Sequence, residues 1–263
     1  MLRLGLSTCY FKEKTPAEWE SARAAGITDI EISMNCPIEE YLSKGEPLAH
    51  DIRAAGLDIW SIHIPFGRPF DLTDPDPAHF SEIEERYTTL IDAGARWGAK
   101  VITTHASTEP IDQTQRAARM ERGKYLYRKL GEYAAARGMR ITVEVLPRLC
   151  MGNCSAECME FTDGEVSFIN FDVNHLLKES HADFIKNAGS RIITTHISDY
   201  DFTDERHWVP GDGMIDWRTF YTMMNGAGYT GPYLFELGEA VSGRKMPVSE
   251  LVERFKTVIG YAD

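Results

Sequence analysis

The chain has 263 residues, 43% of them hydrophobic and 26% charged, with a formal net charge of −12. That balance fits one large α/β domain with a sizeable core, and it argues against nonspecific binding to nucleic acid or anionic membrane, both of which need a basic surface. No apolar run approaches the length of a membrane span, and five cysteines fit no secreted disulfide framework, so a reduced cytoplasm is the expected setting.

The first residues read as a strand, Arg3 to Ser7, rather than as a signal peptide. A helix follows over Pro16 to Ala25, opened by the cap residue Thr15 with proline in the first turn. Next come a strand over Asp29 to Met34, a short helical stretch from Glu46 to Ala55, and a strand over Leu57 to Ile64. Phe80 to Trp97 reads as a long amphipathic helix, Lys100 to His105 as a strand, and Gln113 to Arg137 as a second long helix. The rest alternates in the same way: strands at Arg140 to Val145, Val166 to Asp172, Arg191 to Ile197 and Tyr233 to Leu237, and helices at Cys154 to Phe161, His181 to Ala188, Asp216 to Asn225 and Val248 to Tyr261. Gly26, Gly56, Gly98, Gly138, Gly164, Gly189 and Gly228 each stand just before a strand, where a left-handed glycine ends a helix. Eight strands alternating with about eight helices is the arithmetic of an α/β fold, a (β/α)8 TIM barrel, with residues 1–263 as a single domain. An open doubly wound sheet is disfavoured, because no Gly-x-Gly-x-x-Gly follows the first strand.

Barrel strands present their C-terminal ends to one face. Those ends carry His63, His105, Glu144, Asp172, His196 and Glu236, and two loop histidines, His175 and His207, stand nearby. A carboxylate or imidazole ending a buried strand is costly without a partner. Three carboxylates converging on one point would repel each other unless a cation sat among them. Glu144, Asp172, His196 and Glu236 are therefore expected to hold one divalent metal ion. Mixed oxygen and nitrogen donors leave Mn, Zn, Co, Fe and Mg open, and a second or third metal is compatible with the remaining histidines.

The succession His63-Ile-Pro, His105, Glu144, Asp172-Val-Asn-His175, His196-Ile-Ser-Asp199, His207-Trp-Val-Pro-Gly-Asp-Gly and Phe-Glu236 resembles the xylose isomerase-like TIM-barrel superfamily, in particular its sugar phosphate isomerase/epimerase branch. The resemblance implies a metal on the same four residues and a substrate touched by His175 and by Arg206 or His207. It also implies Glu144 and Glu236 as the acid/base pair, with His63, His105 and His175 orienting hydroxyls. The implied activity is a metal-dependent sugar or sugar phosphate isomerase or epimerase, moving a proton through a metal-bound enediolate. The expected partner is a small-molecule sugar, without nucleic acid or membrane; a homo-oligomer is compatible.

The same superfamily contains endonuclease IV, a zinc enzyme cutting DNA at abasic sites. Its pattern falls on His63, His105, Glu144, Asp172, His175, His196, His207 and Glu236, but its Asp-x-His element would be Glu205-Arg-His207 here. That departure and the acidic balance disfavour it. A ketonic cyclitol dehydratase and a noncatalytic carbohydrate-binding barrel are the further alternatives. Trp60, Phe66 and Trp208 are candidate apolar walls. Arg148 reads as a rim charge within possible reach of a phosphate, and Cys150, Cys154 and Cys158 as structural or incidental.

Overall fold

The computed structural model describes residues 2–238 and 246–261. Eight strands close into a barrel in sequence order: β1 (Leu4–Ser7), β2 (Asp29–Ser33), β3 (Asp58–His63), β4 (Val101–Thr104), β5 (Arg140–Glu144), β6 (Ser167–Asp172), β7 (Ile192–Ile197) and β8 (Tyr233–Phe235). Every neighbouring pair is parallel, and β8 closes on β1 through Leu4 and Tyr233. Eight α-helices among the described residues wrap it: α1 (Pro16–Ala24), α2 (Ile38–Ala54), α3 (Phe80–Trp97), α4 (Arg116–Ala135), α5 (Ser155–Phe161), α6 (His181–Ala188), α7 (Trp217–Gly226) and α8 (Val248–Ile259). None is long and apolar enough to cross a membrane.

The strands are short runs buried on both faces, most of them rich in β-branched or aromatic residues; β1, Leu-Gly-Leu-Ser, is the exception in composition but is equally buried. The helices turn buried stripes such as Ile83, Tyr87, Leu90 and Ile91 of α3 onto the sheet. Two expectations need correction. Helix α2 begins at Ile38, eight residues before Glu46, and runs through Pro47. Pro47 sits mid-helix, and Tyr41 in the earlier turns is completely buried, so packing outweighs the missing N–H. Six of the seven spacer glycines have positive φ. Gly189 does not: at φ −53° it continues from α6 into a short 3-10 turn.

The bottom of the barrel, at the strand N-termini, is plugged by Trp60, Val101 and Leu234. The Trp60 indole N–H donates to Thr194 Oγ1 at 3.0 Å, and the Arg3 guanidinium lies 4.5 Å from its ring centre. The strand registers place Glu144 beside Asn170, Asp172 beside His196, and Glu31 between Ser7 and Ser61.

Candidate metal and sugar site

Strand ends β5, β6 and β7 deliver Glu144, Asp172 and His196 to the top of the barrel, and Glu236 follows the last residue of β8. One donor atom from each lies within 4.8 Å of the others. The His196 Nδ1 is 3.1 Å from Glu236, 3.5 Å from Glu144 and 3.9 Å from Asp172. The first three are completely buried. Glu144 Oε1 and Asp172 Oδ2 accept no well-aligned hydrogen bond, although His175 Nδ1 stands 3.5 and 3.2 Å from them.

His63 ends β3 and places its Nε2 3.0 Å from Glu144 Oε2, while its Nδ1 donates to the Ile64 carbonyl. That second bond fixes the ring orientation. His105 stands one residue beyond β4, its Nε2 3.6 Å from Glu144 Oε1. His175 turns back from the loop after β6, with Nδ1 3.2 Å from Asp172 and Nε2 3.2 Å from Glu205. His207 is held by its backbone N–H on Asn174 Oδ1, and its Nδ1 donates to the Glu236 carbonyl at 3.2 Å. The loop carrying it is fixed by Asp199. That buried carboxylate accepts from the N–H groups of Tyr200, Gly211 and Ile215 and from the Trp217 indole. A Cβ on Gly213 would come within 2.4 Å of it.

Burial pushes every carboxyl here up and every imidazole down, and the mutual contacts decide the outcome. Glu144 ends well below the usual carboxylate range, held there by His196 and His105. Glu236 is lowered too, chiefly by His196. Asp172, for which burial prevails, is raised to about 6. The Glu144 contact outweighs burial at His63 and lifts it to about 9, while burial prevails at His105 and lowers it. His175 and His196 stand well above the ordinary range, raised foremost by Asp172 and Glu236 respectively. The cluster thus borrows positive charge from imidazoles. A divalent cation supplies the same counter-charge and also a partner for the two poorly satisfied oxygens, so these residues fit a metal ion. Two further triplets, His63–His105–Glu144 and His175–Glu205–His207, have the same close spacing.

Above the cluster opens a cavity of about 510 Å³, within the usual range for small-molecule sites. His63, His105, His175 and His207 line it with Glu144, Glu236, Glu205, Glu109, Arg148 and Phe66. The sequence matches the family model "xylose isomerase-like TIM barrel" over residues 19–257. The chain belongs to that family. No curated protein matches the sequence significantly. Among solved structures, 3-keto-D-glucoside 4-epimerase from E. coli is 17% identical, with a TM-score of 0.78 over 98% of this chain and 99% of its own. D-psicose 3-epimerase from Clostridium cellulolyticum H10, solved with D-tagatose, is 20% identical, with a TM-score of 0.79 over 99% and 98%. A sugar phosphate isomerase/epimerase from Parabacteroides distasonis is 17% identical, with a TM-score of 0.72 over 99% and 94%. These likenesses establish the shared barrel.

Within this family barrel, some residues singled out in the sequence lie away from the cavity. The Arg206 Nε donates to Asp201 at 2.9 Å, its guanidinium lies 5.8 Å from the Trp208 ring centre, and neither residue lines the cavity. Trp60 belongs to the bottom plug. Phe66 does line the cavity, stacked on His105 with ring centres 5.2 Å apart. Arg148 lines it too, but Glu109, Asp204 and Glu205 all bind its guanidinium. Cys150 is at the wall, its thiol pushed up to about 12 by burial, and the Cys158 thiol donates to the Gly152 carbonyl.

Three residues had not been singled out as site residues. Asn170 donates to Glu144 Oε2, Glu205 holds His175, and Glu31 reaches His196 Nε2 at 3.1 Å. The signal for Glu31 was present: a carboxylate between Ile30 and Ile32 in a strand too apolar to be exposed.

Proposed function

We propose that this chain is a divalent-metal-dependent isomerase or epimerase of sugars or sugar phosphates. The observation that carries the reading is the convergence of Glu144, Asp172, His196 and Glu236 beneath the cavity, with two buried carboxylate oxygens accepting no well-aligned hydrogen bond. Glu144, Asp172, His196 and Glu236 would hold the ion. When bound, a divalent cation is a Lewis acid that polarises a carbonyl oxygen and so acidifies the carbon-bound hydrogen beside it.

The protein supplies the proton transfers. One of the pair Glu144 and Glu236 removes the hydrogen from the carbon next to the carbonyl, and the bonding electrons move into an enediolate. The other returns a proton. Return to the former carbonyl carbon, with the neighbouring hydroxyl proton passing to the former carbonyl oxygen, interconverts aldose and ketose; return to the starting carbon from its opposite face inverts it. Both carboxylates sit low on the pKa scale beside imidazoles, so either can act as the base, and the one that returns a proton must first take it from solvent through the cavity. His105, His175 and His207 line the cavity and would orient hydroxyls, and Phe66 offers a flat apolar surface to the C–H face of a sugar.

The test is incubation with a panel of ketoses and ketose phosphates in D₂O. Deuterium should enter at the carbon beside the carbonyl and should cease to enter after chelation. No incorporation from any panel member in metal-loaded protein would contradict the reading. The two flanking histidine triplets favour an abasic-site endonuclease as a second reading, opposed by the four carboxylates lining the cavity. Chelator-sensitive nicking of an abasic oligonucleotide would favour it.

A further inference from the structure

Glu31 is completely buried in the middle of β2, pointing into the barrel. Its Oε2 accepts from Ser61 Oγ at 2.8 Å and faces His196 Nε2 at 3.1 Å. Its Oε1 has no partner. Two residues earlier on the same strand face, Asp29 binds Arg3 through both oxygens and accepts from Thr28 as well. Asp29 is thus a satisfied structural carboxylate. Glu31 is an unsatisfied one, and fold stability alone gives no reason to keep it: an unpartnered buried carboxylate oxygen is destabilising, and an apolar residue of similar size would avoid that.

His196 explains its presence. The imidazole lies across the barrel between two sets of carboxylates, with Nδ1 toward Glu236, Glu144 and Asp172 and Nε2 toward Glu31. Without a metal, carboxylates face both nitrogens at 3.1 Å and each nitrogen carries a hydrogen; a cation replacing the Nδ1 hydrogen would leave the other on Nε2, where Glu31 accepts it. The lone pair of the neutral ring is then on Nδ1, the nitrogen inside the four-residue cluster. The carboxylate also makes that lone pair a stronger donor and fixes the ring plane. Asn170 Nδ2 sits 3.1 and 3.2 Å from the two ring nitrogens, further restricting the ring.

We propose that Glu31 is a positioning residue that selects the tautomer and orientation of His196 for metal binding. The proposal rests on the metal centre described above, and it is tested without any sugar. Mn²⁺ and Co²⁺ affinities of the wild type, Glu31→Gln and Glu31→Met are measured by competition with a chelator, with the visible spectrum of bound Co²⁺ and the melting temperature of the metal-free protein.

Carboxylates acting through a ligand histidine typically change metal affinity by about 10- to 100-fold. Glu31→Gln keeps an acceptor oxygen but loses the charge, so roughly a 10-fold weakening is expected. Glu31→Met loses both, and about 100-fold is expected. The Co²⁺ spectrum should shift in both, and the metal-free melting temperature shows that each variant folds. A merely structural Glu31 would lower the melting temperature and leave affinity and spectrum alone, which overturns the proposal. If the Met variant does not fold, the Gln variant decides. Absence of divalent binding in the wild type overturns the metal centre and this proposal together. Metal binding that depends on Glu31, in a protein that exchanges no sugar proton, upholds this proposal and overturns the proposed function alone.

Discussion

The two ends of this barrel bury polar groups in opposite ways. At the bottom, Asp29 is matched by Arg3 and Thr28, the Trp60 indole by Thr194, and the Arg3 cation also lies over an aromatic ring. At the top, Glu144, Asp172, Asn170 and Glu31 each keep a buried oxygen without a well-aligned hydrogen bond. Buried polar groups are nearly always satisfied, and those that are not ask for an explanation. The contrast separates carboxylates matched within the fold from carboxylates that a bound cation would match. Substitution at the top should change chemistry in a protein that still folds, and substitution at the bottom should cost stability and spare chemistry.

The sharpest break of that contrast is Glu144→Gln or Glu236→Gln. Each should lower solvent proton exchange by about 10²- to 10⁴-fold, the usual range for a positioned acid or base. Each also removes a counter-charge from His196, so the metal-free melting temperature is recorded alongside to show that the variant folds. Exchange within a factor of two of wild type would remove the residue from its role. At the bottom, Trp60→Ala should cost about 3–5 kcal/mol in urea unfolding while leaving Mn²⁺ affinity within a few-fold; a collapse of metal binding in a protein still folded would show that the ends are not separable.

His181 sharpens the comparison with a pH measurement. It lies behind the site, its Nε2 donating to the Val173 carbonyl, among Phe171, Tyr200 and Phe220. Burial lowers it to about 4 from an ordinary 6.5. Between those values the unfolded chain binds a proton that the folded chain refuses, so stability rises with pH. The contribution is fully present above about 6.5 and is lost as pH falls toward about 4, a change of about 3 kcal/mol. Urea unfolding across this window should show a shallower slope in His181→Gln than in wild type; identical slopes would assign the pH dependence elsewhere.

The smallest effect belongs to Arg148. Its partners are partly exposed, so Arg148→Ala should cost within about 1 kcal/mol. Because three carboxylates share this cation, the variant should lose no more activity on ketose phosphates than on free ketoses. A selective loss on phosphates would mark Arg148 as a phosphate contact.

Much of this was legible in the sequence, because a parallel barrel writes its active face at one place in each repeat. Strands β5 to β8 each end on or beside a carboxylate or imidazole, so Glu144, Asp172, His196 and Glu236 could be grouped before any coordinates. Glu31 escaped that rule because it lies inside a strand, where the partner across the barrel is 165 residues away. Arg206 and Trp208 went astray for another reason. Loop side chains are aimed by turns, here the one locked around Asp199 and the positive φ of His207, and sequence periodicity carries no information about those.

The most direct measurement is divalent-ion binding to the purified protein, compared with His196→Ala and Asp172→Ala. The expected result is Mn²⁺ bound at one or more ions per chain in the wild type, with the tightest site lost in both variants and their folds intact. Equal binding in all three proteins, or none in the wild type, would contradict a metal centre at the strand ends.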